Sequence, residues 1–417
     1  MPSPAFISAE NHPGATIAEP APRSGWPDFA LYRPHETAAT LARWLEEAHD
    51  TTRRLFDALD DARLDVPLLP VVNPPLWELG HLAWFHEFWV HRRGDADAPS
   101  LVAGADGLYD SAKVAHDARW ALPLPGLDAT RRYLDAVKAR TLERLAGSVD
   151  DELAYFISLG ILHHDMHNEA FAYMWHTLGY PCPLEQAGPS APAGAQAPGD
   201  VELAAATIGL GAKPGGGFVF DNEKWAHAVD VPAFAIARRA VSNGEFLAFV
   251  RDGGYARRAL WSEAGWAMRA ALGLAAPRYW REDAGRWRLR RYDRWLPLPE
   301  TEPVMHVSWH EAEAYCAWAG RRLPTEAEWQ RASEARALAP SGAWEWTASR
   351  FLPFPGFSAD PYREYSEPWF AADHRVLKGG SFVTPRRLAR AAFRNFFKPE
   401  RADVFCGFRT CSLQKGT

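Results

Sequence analysis

The sequence has little cysteine, no excess of basic residues and no long apolar run, and each absence excludes a class of protein. Four cysteines among 417 residues are too few for a disulfide scaffold, and no two of them form a CxxC pair. Lysine and arginine total 46 against 52 aspartates and glutamates, so no basic stripe is available for nucleic acid. No apolar run approaches the roughly 18 residues of a membrane span, and the first residues lack the pattern of a secretory signal. We therefore expect a cytoplasmic protein with no nucleic-acid or membrane partner.

The distribution of apolar residues predicts two domains of different class. Four early stretches carry apolar side chains at spacings of three and four, which is typical of amphipathic helices in a bundle: 36–59, 75–92, 128–146 and 151–178. The later part is rich in tryptophan and Gly/Pro turns and has only short helical stretches, which predicts an α+β domain: 243–250, 309–319 and 326–332. We therefore expect a flexible N-terminus, a four-helix bundle, a Pro/Ala/Gly-rich linker and an α+β domain: 1–30, 31–182, 183–204 and 205–417.

Three histidines on two of these helices form a candidate metal site. His163 and His167 lie one turn apart on the apolar stripe of the fourth helix, and His81 lies on the equivalent stripe of the second. Helix bundles build core metal sites from such side chains on facing helices. Two alternatives stay open: a polar histidine pair that binds no metal, and a ligand pair in which His164 replaces His163. The spacing fits iron or zinc, and either Asp165 or Glu169 is a candidate to orient a ligand imidazole.

The segments around these histidines resemble a known family. NPPLWELGHLAWFHEFW (73–89) and LHHDMHNEAF (162–171) resemble the DinB-type bundle of the ergothioneine sulfoxide synthases (EgtB-type). Four later segments resemble the formylglycine-generating-enzyme fold, a C-type-lectin-like α+β domain: 303–333, GAWEWTAS (342–349), VLKGGSF (376–382) and CGFRT (406–410). The resemblance covers roughly 35–180 and 205–412, and it implies a DinB-like four-helix bundle followed by a formylglycine-generating-enzyme-like domain.

The resemblance also implies an activity and a set of site residues. The family holds a nonheme Fe(II) on three histidines, here His81, His163 and His167, and uses O2 to couple hercynine (trimethylhistidine) to a sulfur donor at the imidazole C2. Its catalytic proton or electron donor is a tyrosine of a YxxYS-like loop, which matches Tyr362 in DPYREYSEPWF (360–370). The expected substrate contacts on the same basis are Tyr365, Arg394 and Asn395, and also Phe85 and Met166, which replace polar residues of some relatives.

The residues expected to bind the sulfur donor differ from those of the ergothioneine sulfoxide synthases. Synthases that use γ-glutamylcysteine carry an RxxR-like basic clamp, whereas the matching stretch 109–125 offers only Lys113, His116 and Arg119. Phe397 stands where those relatives have an aspartate that binds the donor. A less basic pocket fits an uncharged donor, so we expect His116 and Arg119 to contact a selenosugar, as in the similar selenoneine synthases (SenA-type), with C–Se bond formation. The alternative is C–S bond formation with γ-glutamylcysteine or cysteine.

The same sequence segments bear on two further activities. The stretch 386–397 lacks the cysteines that formylglycine generation requires, so that activity is not expected. A DinB-like thiol transferase or a binding protein without catalysis is the second alternative, and the presence of both the histidines and the tyrosine loop argues against it.

Overall fold

The computed structural model describes residues 26–32, 36–184, 188 and 199–413, which form two compact units. The helical unit contains the chain up to Asn168 together with 214–220 and 358–364. The α+β unit contains Glu169–Lys213, Asp221–Phe357 and the chain from Tyr365 onward. Most of the predicted flexible N-terminus and much of the predicted linker lie outside the described residues. The first strand begins at Asp200, which lies inside the predicted linker. The sequence does not reveal this start, because the preceding residues are rich in proline, alanine and glycine.

The helical unit contains the four helices that periodicity predicts. Its helices are α1 (Ala38–Asp57), α2 (Pro75–His86), the short α3 (Ala105–Tyr109), α4 (Leu127–Leu145) and α5 (Asp151–Leu178), of which the residues after Asn168 belong to the α+β unit. Thr37 caps α1 by accepting a hydrogen bond from the Thr40 amide. The apolar stripe of α1, including Leu41, Leu45 and Leu55, is buried. Burial of this stripe accounts for the packing of α1, whereas α2 and α5 are buried on nearly all sides.

Helix α2 departs from a simple helix at its C-terminal end. It begins with Pro75, whose fixed φ suits the first helical turn. It continues into a π-helical turn over Glu87–His91, where the sequence predicted an uninterrupted helix. The buried Glu87 carboxylate accepts hydrogen bonds from the Ser100 hydroxyl and the Leu101 amide at 2.6 and 2.8 Å. These contacts come from a distant loop, so the local sequence pattern does not reveal the widened turn.

The α+β unit is built from short strands and four capped helices. Its strands are β1 (Asp200–Leu203), β2 (Ala206–Leu210), β3 (His227–Val231), β4 (Phe234–Ala237), β5 (Trp280–Asp283), β6 (Arg286–Arg291), β7 (Arg294–Pro297), β8 (Arg321–Arg322), β9 (Trp344–Arg350), β10 (Arg375–Gly379), β11 (Asn395–Phe397), β12 (Cys406–Phe408) and β13 (Cys411–Ser412). They form sheets in the orders β1-β4-β13-β8, β11-β10-β9-β12, β2-β3 and β5-β6-β7. The helices are α6 (Asn243–Arg251), α7 (Glu263–Ala271), α8 (Trp309–Ala319) and α9 (Glu326–Glu334). Within the described residues, no helix has the length and hydropathy needed to cross a membrane.

Buried ion pairs join the elements of this unit. The Arg409 guanidinium donates to both oxygens of the Glu345 carboxylate on β9, and both side chains are almost fully buried. Arg394 makes the same two-point contact with Glu326 at 2.8 and 3.1 Å. Such paired geometry satisfies charges that would otherwise be costly to bury. Each ion pair therefore ties a strand or a helix of this unit to a residue distant in the sequence.

Candidate metal centre

Three histidines of the helical unit converge on one point. His81 comes from α2, and His163 and His167 come from α5; one ring nitrogen of each lies within 4.8 Å of the others. The Nε2 atoms of His163 and His167 are 3.2 Å apart. Among the described residues this is the one group of three or more histidine, cysteine or acidic side chains with such spacing. The structure thus brings together the three residues that the sequence analysis selects as metal ligands.

Two of the imidazoles are oriented by acceptors behind them. His81 Nδ1 lies 2.7 Å from the Tyr109 carbonyl oxygen, and His167 Nδ1 lies 2.6 Å from Glu78 Oε2. A carbonyl and a carboxylate oxygen can only accept, so each Nδ1 carries the proton and each Nε2 keeps its lone pair. This is the tautomer that a metal ligand bound through Nε2 requires.

Burial keeps two of the three histidines in the neutral form that a cation needs. Burial, together with the neighbouring His167 ring, lowers the pKa of His81 to about 3. Burial also lowers the pKa of His163 well below its ordinary value. Burial alone would raise the pKa of the Glu78 carboxyl, but its close contact and hydrogen bond with His167 bring it well below its usual range. Neutral His81 and His163, with a carboxylate behind His167, fit a divalent transition metal with further coordination positions open.

The neighbouring His164 points elsewhere. Its Nε2 lies 2.6 Å from the Thr52 hydroxyl on α1, and its ring packs edge-on against His49 with centroids 4.7 Å apart. The Thr52 hydroxyl also donates to Asn168 at 2.6 Å. His164 therefore connects α5 to α1, and the alternative ligand pair with His164 is not assembled.

A glycine on α2 permits the contact that orients His81. A Cβ atom on Gly80 would lie 2.1 Å from Cε1 of the Tyr109 ring, which is far inside van der Waals contact. The absence of a side chain lets the Tyr109 ring pack directly against the α2 backbone. Its carbonyl then reaches His81 on the next residue of the helix.

Tyr362 lies beside the three histidines. Its segment, 358–364, belongs to the helical unit, and Asp360 in that segment accepts a hydrogen bond of 2.6 Å from the Tyr32 hydroxyl. The Tyr362 ring centroid is 6.1 Å from that of His163 and 4.9 Å from that of Phe85. Phe85 in turn stacks face to face on His163 at 3.5 Å. Met166 is half-buried on α5, directly before His167.

The other expected hercynine contacts belong to the α+β unit. Tyr365 packs edge-on against Phe396 with centroids 5.9 Å apart, and Asn395 Oδ1 accepts from the Phe396 amide at 2.9 Å. Arg394 is buried in its ion pair with Glu326. Their contacts with a substrate stay predictions.

The residues expected to bind the donor make contacts within the protein. Arg119 Nη1 donates to Asn73 Oδ1 at 2.7 Å, and its guanidinium lies 3.7 Å from the centroid of the Trp77 ring. His116 Nε2 lies 2.9 Å from the Val72 carbonyl, and Lys113 pairs with Asp110 at 2.9 Å. Phe397, in the α+β unit, lies against the Arg401 guanidinium at 5.0 Å.

Sequence reasoning misses the groups that orient the ligands. The sequence does indicate Glu78, because it precedes His81 by three residues and so shares its helix face. The sequence does not indicate the Tyr109 carbonyl, since every residue carries a backbone carbonyl. Glu169, one of the two acids considered for this role, instead accepts hydrogen bonds within the α+β unit from Trp344, Ser381 and Thr384 at 2.6–2.7 Å.

Comparison with known proteins identifies both halves of the chain. Residues 15–176 match the DinB superfamily, and residues 188–339 and 341–413 match the sulfatase-modifying factor enzyme 1-like domain. The chain is 35% identical to the hercynine oxygenase of Mycolicibacterium thermoresistibile, over 90% of this chain and 95% of that one. It is 36% identical to the hercynine oxygenase of Mycobacterium tuberculosis, over 90% and 98% of the two chains. Ergothioneine biosynthesis protein 1 of Schizosaccharomyces pombe is 29% identical over 46% of this chain and 27% of its own length. Because more than a third of its residues are identical to those of hercynine oxygenases over nine-tenths of this chain, this protein belongs to the hercynine oxygenase family.

Proposed function

We propose that this protein is a nonheme Fe(II) oxidoreductase that uses O2 to join a chalcogen donor to C2 of the hercynine imidazole. The observation that carries the proposal is the cluster of His81, His163 and His167 with Tyr362 beside it. The names of the full-length relatives support hercynine as the substrate. Overall, a C2–H bond and a chalcogen–H bond are lost and a carbon–chalcogen bond forms. One oxygen atom of O2 is bound by the chalcogen, which gives the sulfoxide or selenoxide, and the other leaves as water, so all four electrons that O2 accepts are accounted for.

The three histidines are proposed to hold the iron through Nε2. Iron, when bound, supplies O2 activation and open positions at which substrate and donor meet. Glu78 and the Tyr109 carbonyl hold two of the rings in the correct tautomer, so binding requires no rearrangement of His81 or His167. The residues present therefore fit the metal that the family implies.

Tyr362 is proposed to be the catalytic proton or electron donor. Its ring is held by Phe85 at 4.9 Å and by Trp89 at 6.0 Å, and both are buried. These aromatic neighbours keep the half-buried Tyr362 ring close to His163. The same aromatic surface suits the trimethylammonium group of hercynine, which is attracted to ring faces.

The remaining substrate contacts follow from the family resemblance. Phe85 and Met166 are proposed to line the hercynine pocket from the helical unit. Tyr365, Arg394 and Asn395 are proposed as hercynine contacts on the basis of the family resemblance alone.

We propose a selenosugar as the donor, with Arg119 and His116 as contacts. A donor with two carboxylates needs charged partners, because a desolvated carboxylate without one costs several kcal/mol. Lys113 is paired with Asp110, and Arg119 already binds Asn73, which supports an uncharged donor. The relatives' names favour the alternative, an ergothioneine-type enzyme that forms a C–S bond with γ-glutamylcysteine or cysteine.

The test is a donor competition on one enzyme preparation. The Fe(II)-loaded protein is given hercynine and O2 with a selenosugar, the matched thiosugar or γ-glutamylcysteine, and the products are identified by mass. We expect coupled product, with kcat/KM for the thiosugar exceeding that for γ-glutamylcysteine by about tenfold, which equals roughly 1.4 kcal/mol. A preference for γ-glutamylcysteine over the thiosugar would establish the ergothioneine-type alternative. Absence of hercynine consumption with every donor would contradict the proposal.

A further inference from the structure

Arg119 begins a chain of hydrogen bonds that ends at His167. Its Nη1 donates to Asn73 Oδ1 at 2.7 Å, and Asn73 Nδ2 donates to Glu78 Oε1. The other oxygen of Glu78 accepts from His167 Nδ1 at 2.6 Å. All four side chains belong to the helical unit, and Glu78 is buried.

Arg119 also begins a second path, made of stacked groups, that ends at His81. The guanidinium lies over the Trp77 ring at 3.7 Å, and the Trp77 ring stacks on His81 with centroids 5.0 Å apart and planes 9° apart. Trp77 Nε1 donates to the Leu108 carbonyl at 2.7 Å, which holds the ring in this orientation. One arginine thus contacts groups that support two of the three histidines.

The chemistry of the first path requires a donor at position 119. A guanidinium can only donate and a carboxylate can only accept, so the Asn73 amide between them has one favourable orientation. Without Arg119, the Asn73 oxygen loses the donor that anchors it, and only Glu78 then holds the amide. Asn73 can then move away from Glu78, which weakens the hydrogen bond that fixes Glu78 behind His167.

We propose that Arg119 is a positioning residue for the metal centre, acting through Asn73 and Glu78 on His167 and through Trp77 on His81. This role rests on the proposed function only in that both histidines are metal ligands. It is separate from the donor contact proposed above, because metal binding is measured in the absence of any donor.

The experiment measures metal binding without any substrate. Wild type, Arg119→Met and Arg119→Lys are titrated with Co(II) against a chromophoric chelator, and the visible spectrum of the bound Co(II) is recorded. Loss of a group that supports a ligand weakens metal binding by about 10–100-fold. We expect a loss of this size and an altered spectrum for Arg119→Met, and partial recovery for Arg119→Lys, which keeps a donor for Asn73 but cannot stack as a planar group. Thermal unfolding followed by circular dichroism confirms that each variant is folded.

Arg131→Met is the matched control, because Arg131 forms an exposed ion pair with Asp57 at 2.8 Å in the same unit. We expect it to bind Co(II) like wild type. Wild-type affinity and spectrum in both Arg119 variants would overturn the inference and would leave Arg119 only the proposed contact with the chalcogen donor. Failure of the wild-type protein to bind Co(II) or Fe(II) would overturn the proposed metal centre itself, and the inference with it.

Discussion

At the scale of single residues, the site depends on imidazoles that are already oriented and that, at His81 and His163, are neutral. His81 and His167 each direct Nδ1 to an acceptor, and His163 is held by its stack on Phe85. A ligand so prepared loses little conformational freedom when a cation binds. The neighbouring His164 is equally buried but is engaged with Thr52, so burial alone does not identify a ligand.

The ligand set leads to the first prediction. His81→Ala, His163→Ala and His167→Ala should each lose bound iron, measured by metal analysis after gel filtration, because each removes one of three donors. His164→Ala is the matched control: it should keep the iron and lose about 1 kcal/mol of stability with the Thr52 hydrogen bond. Loss of iron in the control but not in His163→Ala would mean that the ligands lie on the other face of α5.

The second prediction concerns Tyr362. Tyr362→Phe keeps the packing against Phe85 and Trp89 but removes the phenolic proton. Removal of a positioned proton donor costs about 10²–10⁴-fold in rate, so the variant should bind iron normally and form little coupled product in single-turnover assays. Wild-type turnover would exclude Tyr362 as the catalytic donor and would favour Tyr365.

At the scale of elements, the close approach of the Tyr109 ring to α2 determines the orientation of His81. The third prediction is that Gly80→Ala forces the Tyr109 ring away from α2, at a cost of about 1–3 kcal/mol in the free energy of unfolding. The same shift withdraws the Tyr109 carbonyl, so Co(II) affinity should fall as well. Gly107→Ala on α3 is the control, since a Cβ there meets nothing within 4 Å. Equal stability of both variants in urea unfolding would contradict this account.

The elements differ in how far the sequence predicts them. The four bundle helices follow from apolar periodicity, and α5 begins and ends at the expected residues. In the α+β unit, α8 and α9 carry capping boxes that mark their starts, Ser308 with Glu311 and Thr325 with Glu328. Helix α7 is missed because it is short and mostly exposed. The π-helical turn after α2 is missed because contacts distant in sequence produce it.

The residues of the candidate site also differ in how far the sequence predicts them. The three histidines are predictable, because ligand chemistry constrains residue type and spacing on a helix. The residues that orient these histidines are less predictable. Asn73, Trp77 and Arg119 act through a network that forms only when the segment 116–121 packs against the start of α2. A backbone carbonyl, such as that of Tyr109, leaves no trace in the sequence at all.

At the scale of the whole molecule, buried neutral histidines make stability depend on pH. In the α+β unit, His176 and His306 stack at 4.3 Å, and burial lowers the pKa of His306 to about 3 and that of His176 well below its ordinary value. The unfolded chain binds a proton near pH 6.5 and the folded chain does not, so stability is complete above pH 6.5 and falls as the pH drops toward 3.

The fourth prediction follows from this loss of stability at low pH. Lowering the pH from 7.5 to 5.5 should cost about 1.4 kcal/mol for each such histidine in urea unfolding of the α+β unit. His306→Asn should reduce this loss, and asparagine tolerates the positive φ of 60° at this position. An unchanged pH dependence in the variant would show that His306 is charged in the folded protein.

The central claim is that this protein replaces the C2–H bond of hercynine, with O2 as oxidant. The most direct measurement uses hercynine deuterated at C2, incubated with the Fe(II)-loaded protein, O2 and the selenosugar, and analysed by mass spectrometry. We predict a product that has lost the deuterium and gained the selenosugar, formed by wild type and almost absent with His163→Ala. Hercynine recovered with its deuterium intact, with the selenosugar and with γ-glutamylcysteine alike, would contradict the account.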